Sequence, residues 1–106
     1  MKPMQPATIS QRGNDGIEIQ GRLDFASVPA LIKQAERYLR EAKPSSGFCV
    51  DLSGVDSSNS AGVAFLLELN RLCLQSQLTL NIRHMPQPMQ TIARAHGVDE
   101  ALNALV

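Results

Sequence analysis

Apolar and polar positions along this chain change period several times, and each change marks an expected element. Ala7 to Ser10 reads as a weak strand, Gly13-Asn14-Asp15-Gly16 as a strong turn, and Ile17 and Ile19 alternate with Glu18 and Gln20 as in a half-buried strand that Gly21 ends. Together they predict a hairpin. Ser27 stands where it would cap a first helix, with Pro29 in the first turn. Val28, Leu31, Ile32, Ala35, Leu39 and Ala42 recur at helical spacing and form the stripe that packs on a sheet. The opposite face pairs Glu36 with Arg40 and Arg37 with Glu41, four residues apart, which predicts a solvated surface with weak ion pairs.

After Pro44-Ser45-Ser46-Gly47, the apolar run Phe48, Cys49, Val50 and Leu52 has the pattern of a central strand covered on both faces. Asp51 to Ser60 then supply small polar and turn-forming side chains, and a long apolar helix follows from Ser60 to about Ser76. Either Asn59 or Ser60 can cap that helix. A hydroxyl there sits beside unpaired backbone N–H groups and the positive end of the helix dipole, so it tolerates negative charge; Ser60 is a candidate recognition or phosphorylation point as well as a candidate cap. On this helix Glu68, Arg71 and Gln75 occupy one narrow arc while Val63, Phe65, Leu66, Leu67, Leu69, Leu72, Cys73 and Leu74 cover most of the rest. One sheet buries a stripe of about 100°. The surplus must be covered by a neighbouring helix or by another protein. Leu78, Leu80 and Ile82 alternate with Thr79, Asn81 and Arg83 as a further strand, parallel or antiparallel. Pro86 and Pro88 introduce a third helix with Met89, Ile92, Ala93 and His96, closed by Gly97, and Val98, Leu102 and Leu105 suggest a short terminal one.

Composition narrows the function. A chain of 106 residues is expected to be a single domain over 1–106 with one core. Ten basic residues balance ten acidic ones, which disfavours nucleic acid and an anionic membrane surface as partners. MKPMQPATIS has no signal-peptide core, and no stretch approaches the roughly 20 apolar residues that span a bilayer, so a cytoplasmic protein without direct membrane insertion is expected. Cys49 and Cys73 fall in apolar segments and read as free core thiols.

Catalytic chemistry finds little footing. His84 and His96 lack a cysteine or acidic partner at metal-ligand spacing, Asp51 and Asp56 suit Asx-type backbone bonds better than a magnesium pair, and Gly47, Gly54 and Gly62 form no phosphate loop. No cofactor or metal is expected. The chain reads as an interaction module rather than an enzyme.

Val50-Asp51-Leu52-Ser53-Gly54-Val55 followed by Asn59-Ser60-Ala61-Gly62-Val63-Ala64-Phe65-Leu66-Leu67 resembles the signature of STAS domains, the fold of the bacterial anti-sigma factor antagonists, and Gly21-Arg22-Leu23-Asp24 is similar to that family's early motif. The resemblance implies an α/β domain with a mixed four- or five-stranded sheet, helices mainly on one face, and a regulatory Ser or Thr at the start of the second helix, here Ser60. Antagonists usually carry Asp-Ser-Ser-Gly at that point, where this chain has Asn59-Ser60-Ala61-Gly62. Ser-Ala-Gly with Val63 to Leu67, and the segment Met85-Pro86 through Gly97-Val98, are more similar to the STAS subunits of Gram-negative phospholipid ABC transporters. The resemblance then implies a subunit that binds the transporter's ATPase and, through it, a membrane permease, peripheral to the inner membrane, in the upkeep of outer-membrane lipid asymmetry. A phosphorylation-switched anti-sigma factor antagonist is the alternative, and a module binding a small ligand or nucleotide a third. Asp56, Ser58, Asn59, Ser60, Ala61, Gly62, Val63 and Leu67 make up the expected partner surface, combining N–H donors, small side chains and surplus apolar area.

Overall fold

Side-chain alternation on the strands decides which face of the sheet is covered. The computed structural model describes residues 5–13 and 15–106, so Met1 to Met4 and the Asn14 of the expected hairpin turn lie outside the described residues. Strands β1 (Thr8–Gln11), β2 (Gly16–Leu23), β3 (Gly47–Ser58) and β4 (Thr79–Arg83) form one sheet in the order β1-β2-β3-β4. β1 runs antiparallel to β2, while β2, β3 and β4 run parallel. Helices α1 (Val28–Glu41) and α2 (Ser60–Gln75) connect the parallel strands, and α3 (Gln87–Ala95) and α4 (Asp99–Asn103) complete the chain. The result is the expected mixed α/β sheet, with four strands among the described residues.

Ile17, Val50 and Ile82 stand side by side across three strands and are fully buried under the helices. One residue further, Glu18, Asp51 and Arg83 form the neighbouring row on the opposite face. β3 is therefore covered on one face only, contrary to its apolar run. Phe48, Val50 and Leu52 point into the core, whereas Cys49 is half-buried on the open face. Leu31, Ala35 and Leu39 of α1, Phe65, Leu66, Leu69 and Cys73 of α2, Met89 and Ala93 of α3 and Leu102 of α4 close the core, and Ile32 sits half-buried at its rim. α2 contacts both α1 and α3, which cover most of the wide apolar arc left over by the sheet; Leu67 and Leu72 stay half-buried and Leu74 is 66% exposed. No ion pair joins Glu36 to Arg40 or Arg37 to Glu41.

Two expectations about strand length are corrected. Gly21 does not end β2. It adopts φ +98°, an added Cβ there would lie 2.8 Å from the carbonyl oxygens of Gln5 and Pro6, and the register shifts just after it. Beyond this bulge β2 continues, pairing Arg22 with Ser57 and Leu23 with Ser58. For the same reason Ser53 to Ser58, expected as a turn, is strand. The backbone of β2 supplies the pairing that its polar side chains do not advertise, and Gly54 lets the strands meet where a Cβ would come within 2.7 Å of Gln20 Cγ. At the far edge Ile82 N donates to Leu105 O at 2.8 Å, so the C-terminal turn occupies part of the outer side of β4.

Candidate functional site

The parallel ladder stops at Leu23 and Ser58, and a single residue, Asn59, separates β3 from α2. Asn59 is extended (φ −116°, ψ −164°), its Oδ1 accepts from Ala61 N at 2.8 Å, and its own N–H donates to Leu23 O at 3.3 Å. Of the two candidate caps, Asn59 is the cap. Ser60 is the first helical residue, half-buried, and its hydroxyl has no hydrogen-bond partner among the described residues. The cap and the ladder end hold the backbone of the turn while leaving that hydroxyl uncommitted.

The remaining residues of the expected surface divide. Ala61 and Val63 are 2% and 3% exposed and belong to the core, so Val63 adds no surplus apolar area. Gly62 is buried for an internal reason: a Cβ would fall 2.1 Å from Ser58 Oγ and 2.9 Å from Leu23 Cδ2. At Gly62 the missing side chain admits the ends of the domain's own strands. Leu67 is half-buried, and Ser58 is half-buried with its hydroxyl donating to Asn59 O. Asp56 is exposed, but it borders an open cavity of about 590 Å³ with Gln20, Gly21 and Gly54 at the bulge. Asp56, Asn59 and Ser60, with half-buried Ser58 and Leu67, make up the accessible part.

The sequence reading missed the neighbouring turn between β2 and α1. Ser27 occupies the cap position of α1 but makes no side-chain cap bond; its hydroxyl donates to Arg22 O at 3.0 Å and accepts from Asp24 N at 3.0 Å. Asp24 does the closing instead, its Oδ1 accepting from Ala26 N (3.1 Å) and Ser27 N (3.0 Å). Arg22 Nε binds Asp24 Oδ2 at 2.6 Å, and this bond, with the Ser27 N–H, holds the Asp24 carboxyl below the usual carboxylate range. Between them Phe25 stands 70% exposed. A lone aromatic between a turn-forming Asp and a Ser was the available signal.

A second cluster lies on the open face of the sheet. Asp51, with its side chain 7% exposed, accepts from Ser53 N at 2.9 Å, meets His84 Nδ1 at 3.0 Å and lies 3.5 Å from Arg12 Nε. Burial pushes its carboxyl up, but the Ser53 and His84 hydrogen bonds outweigh that, and the group stays below its ordinary range. His84, expected as an ordinary histidine without an acidic partner, thus has one 33 residues away in the chain. Cys49 is likewise not a core thiol: Arg12 Nη1 donates to its sulfur at 3.4 Å. Cys73 is in the core, its thiol pushed up to about 12 by burial. Among the described residues no group of three or more His, Cys, Asp or Glu is placed to hold a metal ion, and no helix is long and apolar enough to cross a membrane.

Comparison with known proteins gives the family and the fold. A family model described as "Mlab, STAS domain" matches residues 7–106. The fold is similar to that of the anti-sigma factor antagonist SpoIIAA in its unphosphorylated form, at TM-score 0.67 and 11% identity, covering 89% of this chain and 83% of that one. It is also similar to an anti-sigma factor antagonist from Mycobacterium paratuberculosis, at TM-score 0.63 and 17% identity over 93% of this chain and 82% of that one. No curated protein sequence matches.

Proposed function

We propose, from the premise that this chain belongs to the STAS domain family in the group described as MlaB, that it is a non-catalytic subunit of a phospholipid-transporting ABC system. STAS-domain proteins are generally non-catalytic regulators or binding subunits. The observation that carries the finer reading is the match of the MlaB-described family model to residues 7–106. In this reading the chain binds the ATPase subunit through the start of α2, supports its assembly and activity, and reaches the permease and the inner membrane only through that partner, from the cytoplasm. The geometry of the turn supports it: the Asn59 cap fixes the backbone, and the Ser60 hydroxyl has no internal role to give up on binding.

The likeness of fold to two anti-sigma factor antagonists favours a second reading, in which Ser60 is phosphorylated and release from an anti-sigma kinase follows. A phosphate at the first residue of a helix is electrostatically welcome, so the free domain would tolerate it. Affinity purification of the full chain from its own cell separates the two. Recovery of an ABC ATPase supports the transporter reading, and recovery of a sigma-regulatory kinase without an ATPase refutes it. Ser60→Ala and Ser60→Asp then test the surface. Because Asn59 holds the cap, both should melt close to wild type, within about 0.5 kcal/mol, whereas Ser60→Asp should weaken ATPase binding at least about tenfold, since its carboxylate must be desolvated in the interface. Equal binding by wild type and Ser60→Asp would remove Ser60 from the interface.

A further inference from the structure

We infer that Phe25 is an aromatic anchor of the same partner surface, inserting into an apolar pocket on the ATPase subunit; this rests on the reading that the chain binds that subunit. The chain has three phenylalanines, of which Phe48 and Phe65 are fully buried and Phe25 is 70% exposed. Phe25 is displayed by a rigid turn, closed by the Asp24 carboxylate on the N–H groups of Ala26 and Ser27, by the Arg22–Asp24 pair at 2.6 Å, and by buried Ser27 bonded to Arg22 O. Such a turn has little conformational freedom to lose on binding, which is what makes an exposed aromatic effective as an anchor.

The position of Phe25 ties it to the Ser60 surface. Leu23, two residues before it, pairs with Ser58 and accepts the hydrogen bond from Asn59 N, and its side chain lies against Gly62. The β2–α1 turn and the β3–α2 turn are therefore one rim at the end of the parallel strands. On that rim the charges of Arg22 and Asp24 already face each other, and Asn59 and Ser60 are neutral. An apolar projection beside uncharged hydrogen-bonding groups suits a protein pocket with a polar edge, and it does not suit a phosphate-rich surface.

Calorimetric titration of the purified full chain into the ATPase subunit from the same cell tests the anchor, with Phe25→Ala, Phe25→Leu and Leu74→Ala beside wild type. Leu74 is a comparably exposed apolar side chain, 66%, about 21 Å along α2 from Ser60. Phe25→Ala should weaken binding about 30-fold or more with an unchanged melting temperature, Phe25→Leu should recover part of the loss, and Leu74→Ala should bind as wild type. Wild-type affinity in Phe25→Ala, or equal losses in Phe25→Ala and Leu74→Ala, overturns the anchor while the partner assignment stands. Failure of wild type itself to bind the ATPase removes the partner assignment and the anchor with it.

Discussion

The two faces of the sheet are built from the same strands, one residue apart, and obey different physics. On the covered face Ile17, Val50 and Ile82 meet α1, α2 and α3, and stability comes from apolar area removed from water. On the open face Asp51 is almost as deeply buried, yet it is buried by polar groups, namely Ser53 N–H, His84 and Arg12. Depth alone therefore does not say what a position contributes. A buried side chain on the first face is replaceable by volume, and on the second only by hydrogen-bonding capacity.

The largest effect is expected on the covered face. Leu69→Ala should cost about 2 to 5 kcal/mol in chemical denaturation, because its side chain is fully buried in the core. Cys73, one turn further along α2, gives an independent readout. Its buried thiol, pushed up to about 12, should be silent toward alkylation in the native protein and labelled faster in Leu69→Ala. A melt within a degree or two of wild type would break the comparison at its stronger side.

On the open face Asp51→Asn should cost less, about 1 to 3 kcal/mol at neutral pH, since Arg12 and His84 stay partly in water when their anion is lost. The pH dependence sharpens this. The folded carboxyl lies below its ordinary value of about 3.9, so its contribution is fully present above that value and is lost as pH falls through the lower folded value. The gap between wild type and Asp51→Asn should accordingly close in acid. A gap that widened there would assign the effect to something other than the carboxylate's charge.

The smallest effect belongs to the outward row of β4. Asn81 neighbours Cys49 across the ladder on the open face but is exposed, and Asn81→Ala should change stability by no more than about 0.5 kcal/mol. A loss comparable to that of Asp51→Asn would mean that the open face is cooperative as a whole, not organised around one carboxylate.

Legibility of the sequence followed the same division. Ile17 and Ile19, the stripe through Leu31, Ala35 and Leu39, and the alternation of Leu80 and Ile82 announced their elements because burial leaves a period. The extensions of β2 past Gly21 and of β3 from Ser53 to Ser58 left no period, since there the strands are joined by backbone pairing at a bulge while their side chains are polar or absent. The choice between Asn59 and Ser60 as cap was open in sequence, because either side chain can accept from the helix N-terminus; the hydrogen bond of Asn59 to Ala61 decides it. The burial of Val63 leaves no mark in its own segment, because α1 and α3, which close around α2, are distant in sequence. The partnership of Asp51 with His84 was invisible for the same reason.

The sheet order has a consequence for the time course of folding. β1 and β2 form a local hairpin, but Ile17 reaches Val50 only across the whole of α1, and Val50 reaches Ile82 only across α2. Loop closure of that length must precede any reward from parallel pairing, so the hairpin can form early while the ladder from β2 to β4 zips late. The turn at Asn59 takes its shape from the last rungs of that ladder, at Leu23 and Ser58. Residues 59 and 60 take their places only once those rungs have formed, so recognition of the rim is in effect a test that β2 and β3 have met across α1.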